Sequence, residues 1–312
     1  MLINAVFEGG GVKGISLAGA VKAAETSGVV FHRLAGTSSG SIVAALLAAG
    51  FSADEMSEIV RTTPFTSFLH RAPVFNAKII GPAVRLFIKK GLYSGEALEL
   101  WIHNILKSKG IRTFSDIPPG KLMIIASDIT NGKILVLPGD LIKLGINPAA
   151  FEVSKAIRMS TSIPYFFDPV ILRMCGDAAR GKSFKDQFVY IVDGGLLSNF
   201  PLWLFDDTTV ETPGPGQKLV QTIGFQMVGR SSGSPHVIRG PVSMLQAMFD
   251  TMLSAHDERY IEQVNRFRTI KIPTLGVGTM EFNLTPEQSR ELYESGVQAG
   301  NKFFARFQRL NM

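Results

Sequence analysis

Two glycine- and serine-rich turns near the start of the chain, and one aspartate far downstream, carry the residue types that acyl chemistry uses. Gly36-Thr37-Ser38-Ser39-Gly40 fits G-x-S-x-G, the pattern that sets a serine on a sharp strand-to-helix turn with its hydroxyl free to attack. The pattern occurs a second time at Gly229-Arg230-Ser231-Ser232-Gly233, but Ser234-Pro235 follows and no helix can start there. Behind the first copy stands Ser41-Ile42-Val43-Ala44-Ala45-Leu46-Leu47, an apolar helix former whose N-terminus faces Ser38. Context therefore selects Ser38 as candidate nucleophile, with Gly36 and Gly40 supporting its loop.

The second turn is Glu8-Gly9-Gly10-Gly11-Val12-Lys13-Gly14, between an apolar strand and a helix. Several backbone N–H groups can converge there with no side chain in the way, which suits an anion, permanent or developing. Gly9-x-Gly11-x-x-Gly14 also matches the dinucleotide fingerprint, a weak signal alone. That reading needs an acidic residue about 20 positions on, at the end of the second strand. Here the strand ends in Arg33-Leu34-Ala35-Gly36. A phosphate-binding loop of the Gly-Lys-Ser/Thr kind fails because Lys13 is followed by Gly14. A non-enzymatic nucleotide- or anion-binding module built on residues 9–14 stays open, but leaves Ser38 and Asp193 without a role.

A serine nucleophile needs a base within ~2.6–3.2 Å. The chain has five histidines, His32, His70, His103, His236 and His256, none with a catalytic setting of its own. A Ser38, Asp193 and His236 or His256 triad of the α/β-hydrolase kind is one alternative. Asp193 has the stronger context: it ends the apolar run Tyr190-Ile191-Val192 and precedes Gly194-Gly195, so a neighbour can approach closely.

Taken together, the segments resemble the patatin-like phospholipases, lipid acyl hydrolases that use a Ser-Asp dyad. The resemblance rests on residues 9–14, on residues 36–40, on Arg158-Met159-Ser160-Thr161-Ser162-Ile163-Pro164 continuing to Phe167-Asp168-Pro169, and on Asp193-Gly194-Gly195, in the family's order. Gly91-Leu92-Tyr93-Ser94-Gly95 is similar to a further segment, and coverage runs from about residue 3 to about residue 202. The resemblance implies a three-layer α/β/α fold, a mostly parallel central sheet with helices on both faces. It implies Ser38 as nucleophile, Asp193 as base, the N–H groups of Gly10 and Gly11 as oxyanion donors, Lys13 reinforcing the positive field, and Gly9 and Gly14 shaping the loop. No metal or organic cofactor is implied. The substrate would be a fatty-acyl ester of a lipid, met at a membrane surface, with acyl-position preference and any protein activator unspecified. A dyad should lose activity on the acidic side at a carboxylate pKa shifted by burial, and a histidine triad near ~6.5.

The elements that must position these residues alternate: strand 3–7, helix 12–27, strand 31–35, helix 39–49, helix 53–62, then helices at 77–90 and 94–109. Strands at 121–129 and 133–137 flank Asn131-Gly132, a strong hairpin signal. A helix at 154–160, strands at 188–192 and 219–228, a helix at 242–265, a strand at 268–272 and a helix at 286–307 complete the series, which argues for a mostly parallel sheet covered by helices. The loops fall at 176–186, 208–216 and 229–240; none reads as a linker, so residues 1–312 are expected to form one domain. Composition agrees: 46% hydrophobic and 19% charged residues exclude disorder as the dominant state. A net charge of +6 suits anionic surfaces without the dense basic stripe of a nucleic-acid binder. The lone Cys175 excludes an intrachain disulfide framework. With no leader pattern and no apolar run of membrane-spanning length, a cytoplasmic, at most peripherally membrane-bound protein is expected. Two stretches mix apolar and basic residues as interfacial helices do, 84–90 and 303–310.

Overall fold

The computed structural model describes residues 1–69, 85–86, 88–206, 220–229, 238–240, 243–245, 247–252 and 266–310. His70, Ser231, His236 and His256 lie outside them, as do most of the helices expected at 77–90 and 242–265 and of the loops at 208–216 and 229–240.

The chain is mixed α/β. Strands β1 (Leu2–Phe7), β2 (Val30–Thr37), β4 (Leu122–Asp128), β9 (Gln221–Val228) and β10 (Thr269–Pro273) run parallel in one sheet. Strands β5 (Lys133–Leu137), β7 (Val170–Arg173) and β8 (Phe188–Asp193) add an antiparallel flank, giving the order β10-β9-β1-β2-β4-β8-β7 with β5 also on β4. The 133–137 strand pairs with β4 around Asn131-Gly132 as expected. The sequence did not signal β7, nor the small parallel pair of β3 (Gly91–Tyr93) and β6 (Tyr165–Phe167).

One face of the sheet carries helices α1 (Ile15–Thr26), α2 (Ser39–Ala48) and α6 (Pro286–Leu310), and its core includes Ile3, Phe7, Leu17, Leu34, Phe225 and Phe304, all at or near zero exposure. Helices α3 (Ala53–Thr62), α4 (Glu96–Ser108) and α5 (Val153–Ser160) close the same core. On the opposite face, Val6 and Ala35 are covered among the described residues by Phe200 and Leu202, from the segment that leaves β8. The central strands read as nearly continuous apolar runs because both their faces are buried. No described helix is long and apolar enough to cross a membrane.

Helix boundaries moved where the glycine-rich segments act. The first helix begins at Ile15, because residues Gly11–Gly14 form a separate 3-10 turn. The helix expected from 94 begins at Glu96, with Gly95 as its cap and the Arg158 guanidinium packed over that glycine. The stretch 303–310 is part of α6: Phe304 is buried, Phe303 and Phe307 pack against the core, and Lys302, Arg306 and Arg309 face out. Arg85, in the other amphipathic stretch, is 3% exposed and ion-paired to Asp168, so it is no surface cation.

Candidate active site

Ser38 and Asp193 are 155 residues apart in sequence, and the sheet explains why they meet. Strand β2 pairs with Leu122 to Ile125 of β4, and β8 pairs with Ala126 to Asp128. Both overlap the stretch Ile124 to Asp128 that pairs with β5, so β2 and β8 share the edge of β4 that β5 leaves free. They run in opposite directions along that edge and end head to head: Thr37 lies opposite Ile125, and Asp193 opposite the next residue, Ala126.

The Ser38 hydroxyl donates to Asp193 Oδ2 at 2.7 Å. The second carboxylate oxygen, Oδ1, accepts the Gly195 N–H at 2.8 Å, so the two glycines after the aspartate let the chain fold back onto it. Asp193 has no exposed surface and Ser38 only 5%. Burial pushes the Asp193 carboxyl up to about 7, although the hydrogen bonds from Ser38 and Gly195 pull the other way. Among the described residues no histidine is hydrogen-bonded to either member of the pair. His32 is exposed on β2, and His103 lies half-buried on α4.

Ser38 holds φ 52° and ψ −126°, a conformation costly for a residue with a Cβ, and forms the N-cap of α2. Its partners over-determine it. The Ser38 N–H donates to the Ser160 hydroxyl at 2.8 Å, and the Ser38 C=O accepts from Ser41 Oγ at 2.6 Å. Gly40 is required here by close approach: a Cβ would lie 2.3 Å from the Phe7 carbonyl oxygen, so only glycine lets α2 start against the end of β1.

The glycine loop passes directly beside the serine. A Cβ placed on Gly9 would lie 3.1 Å from Ser38 Cβ. Asn199 brackets Gly9, its C=O accepting the Gly9 N–H at 3.2 Å and its Nδ2 donating to the Gly9 C=O at 3.2 Å. The Gly10 N–H donates to Ser39 Oγ at 3.1 Å, and the Ser39 side chain fills the space over Gly14. Gly11 sits at φ +59° against Thr279, whose carbonyl oxygen would be 1.9 Å from any Cβ there; the same carbonyl accepts the Val12 N–H. Lys13 lays its stem beside Gly10 and is half-buried. Gly36 packs under Gly40. The loop and the serine turn are thus adjacent through Gly9; of the two donors expected from the sequence, Gly10 has its N–H engaged by Ser39 and Gly11 packs against Thr279.

The last residue of α5 and the segment after it reach both ends of the pair, which the sequence did not signal beyond its motif. Ser160 Oγ takes the Ser38 N–H and donates in turn to the Ile125 C=O at 2.6 Å, while the Ser162 C=O accepts the Asp193 N–H at 2.9 Å. This segment is clamped by Arg158, which bonds Ser162 Oγ and the Asp168 C=O, and by Arg85, whose guanidinium meets both Asp168 oxygens at 2.7 Å and also bonds the Gly91 C=O. The Gly91–Tyr93 and Arg158–Asp168 motifs thereby acquire a common physical role: they hold one another and, through Ser160 and Ser162, the serine and aspartate. No cluster of potential metal ligands occurs among the described residues.

An uncharacterised protein of Bacillus subtilis, YqhO, is 38% identical over 97% of this chain and 98% of its own length. The uncharacterised protein R571 of Acanthamoeba polyphaga mimivirus is 26% identical over 95% of this chain and 91% of its own length. Among solved structures, VipD from Legionella pneumophila aligns over 97% of this chain and 67% of its own, with a TM-score of 0.55 at 16% identity, a likeness of fold. Residues 5–206, which hold the glycine loop, the serine turn, the clamp and the aspartate, match the family model for patatin-like phospholipases, and the chain belongs to that family of α/β/α lipid acyl hydrolases.

Proposed function

We propose that this protein hydrolyses fatty-acyl esters of phospholipids or related lipids through a Ser38–Asp193 dyad, carried by a single domain. The observation that carries the reading is the direct 2.7 Å bond from the Ser38 hydroxyl to the Asp193 carboxylate, which leaves no place for an imidazole between them. Ser38 Oγ attacks the acyl carbonyl carbon as its proton passes to Asp193 Oδ2. The tetrahedral oxyanion is held by N–H groups of the glycine loop, where the Gly10 amide exchanges the Ser39 hydroxyl for the substrate oxygen. Collapse expels the alcohol, which takes the proton from Asp193. Water then attacks the acyl-serine, loses a proton to Asp193, and releases the fatty acid as Ser38 regains its hydrogen.

Supporting a lipid surface as the place of work are the outward Lys302, Arg306 and Arg309 of α6 and the net charge of +6. Salt-sensitive co-sedimentation with anionic vesicles tests that association; binding indifferent to salt counts against it.

The test of the reaction is hydrolysis of p-nitrophenyl butyrate and of phosphatidylglycerol vesicles by wild type, Ser38→Ala and Asp193→Asn, with His236→Ala and His256→Ala beside them. Both dyad variants should be inactive and both histidine variants active. Activity that survives Asp193→Asn but is lost in a histidine variant would establish a triad instead. A fluorophosphonate that labels Ser231 and spares Ser38 would overturn the nucleophile.

A further inference from the structure

The Ser160 hydroxyl stands at the break where β2 gives way to β8 along the edge of β4. Just past the last paired residues, Thr37 and Ile125, the two strands are joined by a side chain in place of a direct N–H to O=C bond. The Ser38 N–H donates to Ser160 Oγ at 2.8 Å, and Ser160 Oγ donates to the Ile125 C=O at 2.6 Å. Ser160 is fully buried, and both groups it satisfies are backbone. The spacer lets the chain leave the ladder and turn into φ 52° at Ser38 without stranding a buried donor. Two residues later the Ser162 C=O fixes the Asp193 N–H at 2.9 Å, so one short segment sets the backbone of both members of the pair.

We propose that Ser160 is a positioning residue for the hydrolysis: its bridging hydroxyl aims the Ser38 side chain at Asp193. The inference rests on the Ser38–Asp193 reading above. Without the bridge, the strained Ser38 backbone relaxes toward an ordinary helix N-terminus and its Oγ moves off the carboxylate. Misplacement of a reacting atom by about 1 Å costs on the order of 100-fold in rate.

The experiment measures kcat and KM for p-nitrophenyl butyrate per active site, counted by fluorophosphonate titration of Ser38, in full-length wild type, Ser160→Ala, Ser160→Cys and Ser162→Ala. Titration removes misfolded molecules from the count, so a purely structural role lowers the number of sites and leaves the rate per site alone. The expected result is a fall in kcat per site of about 10- to 100-fold for Ser160→Ala with KM within about twofold. Ser160→Cys, with a weaker bridge of similar shape, should fall in between. Ser162→Ala removes one Arg158 contact of the clamp but keeps the backbone link to Asp193, so its fall in rate per site should be well short of the Ser160→Ala loss. A wild-type rate per site in Ser160→Ala overturns the inference; should that variant yield no folded protein, a wild-type rate per site in Ser160→Cys does the same. An equal loss in Ser162→Ala also overturns it, since loosening of the segment would then suffice. Full activity in Ser38→Ala, measured per amount of folded protein because that variant has no serine to titrate, would instead overturn the dyad, a distinct outcome.

Discussion

The Ser38 hydroxyl meets the Asp193 carboxylate at 2.7 Å in a place where the carboxylate has no contact with solvent. Desolvation lifts that carboxyl up to about 7, and a base must be ionised to accept a proton. Activity is therefore expected to rise with pH, reach half its maximum near 7, and stay level above. This places the dyad's acidic limb almost where a histidine triad would have put it, near ~6.5, so the position of the limb does not separate the two. Its temperature dependence does. Carboxyl ionisation is nearly athermal and imidazole ionisation strongly endothermic, so the kcat midpoint should hold still on warming; a midpoint that falls steadily would point to histidine.

The same shift makes Asp193 a liability for stability. Its carboxyl is raised in the folded state from an ordinary value of 3.8. Below the ordinary value it is neutral folded or unfolded and costs nothing; as pH rises toward about 7 the unfolded chain ionises first, and the folded state loses ground until both are ionised. Asp193→Asn keeps the shape, accepts from Gly195 and donates to Ser38 Oγ, yet carries no charge. It should unfold at higher urea than wild type at about pH 8.5 and at the same urea at about pH 3, the gain lying between about 1 kcal/mol and a ceiling of about 4 kcal/mol. A gain that does not depend on pH would contradict the buried, desolvated carboxylate.

Much of the site was legible because local chemistry fixed it. The strand-to-helix turn at Ser38, the glycine loop and the aspartate closing an apolar strand are each written in neighbouring residues. What brings them together is not. The meeting of Thr37 and Asp193 at adjacent residues of β4 depends on an antiparallel β8 sharing an edge with a parallel β2, which strand periodicity does not encode. Ser160, Asn199 and Thr279 act through hydrogen bonds to distant backbone, and a serine, an asparagine or a threonine in a polar stretch gives no sign of that. The early start expected for α1 failed for a related reason: a periodic apolar pattern cannot show that residues Gly11–Gly14 bend around Ser39 and Thr279.

The Gly11 position gives a sharp test of the loop. Gly11→Ala places a Cβ in left-handed backbone, at a cost of about 1–3 kcal/mol, and against the Thr279 carbonyl oxygen at 1.9 Å. Relief requires the loop or the Thr279 segment to move, so the folded fraction should hydrolyse p-nitrophenyl butyrate more than about 100-fold slower than wild type. Thermal melting measured beside the assay separates lost fold from lost rate. Wild-type activity in a folded Gly11→Ala variant would remove the glycine loop from the reaction.

Asp168 should prove structurally dominant among the ion pairs. Arg85 is 3% exposed in its pair with Asp168, and Arg158 lies beside the same residue. Asp168→Asn takes the charge from the carboxylate that meets the buried Arg85 guanidinium, and a loss of about 3 kcal/mol in urea unfolding is expected. Glu58→Gln, which breaks the exposed pair with Arg61, should leave stability unchanged. Because the clamp holds residues 158–168, Asp168→Asn should also lower kcat in the fraction that folds.

Ser39 allows the oxyanion role proposed for Gly10 to be tested through stability. In the free enzyme the Gly10 N–H donates to Ser39 Oγ at 3.1 Å in a buried setting. Ser39→Ala strands that amide and should cost about 1–3 kcal/mol. In the enzyme phosphonylated on Ser38 by a fluorophosphonate, a phosphoryl oxygen stands where the oxyanion develops and offers the amide a new acceptor. The gap in melting temperature between Ser39→Ala and wild type should then narrow or close. If Gly10 plays no part in holding the oxyanion, the phosphoryl oxygen cannot reach its N–H, and the gap persists at full size in the adduct. The comparison needs no substrate turnover, so it reports on the donor even where Ser39→Ala changes the rate for other reasons.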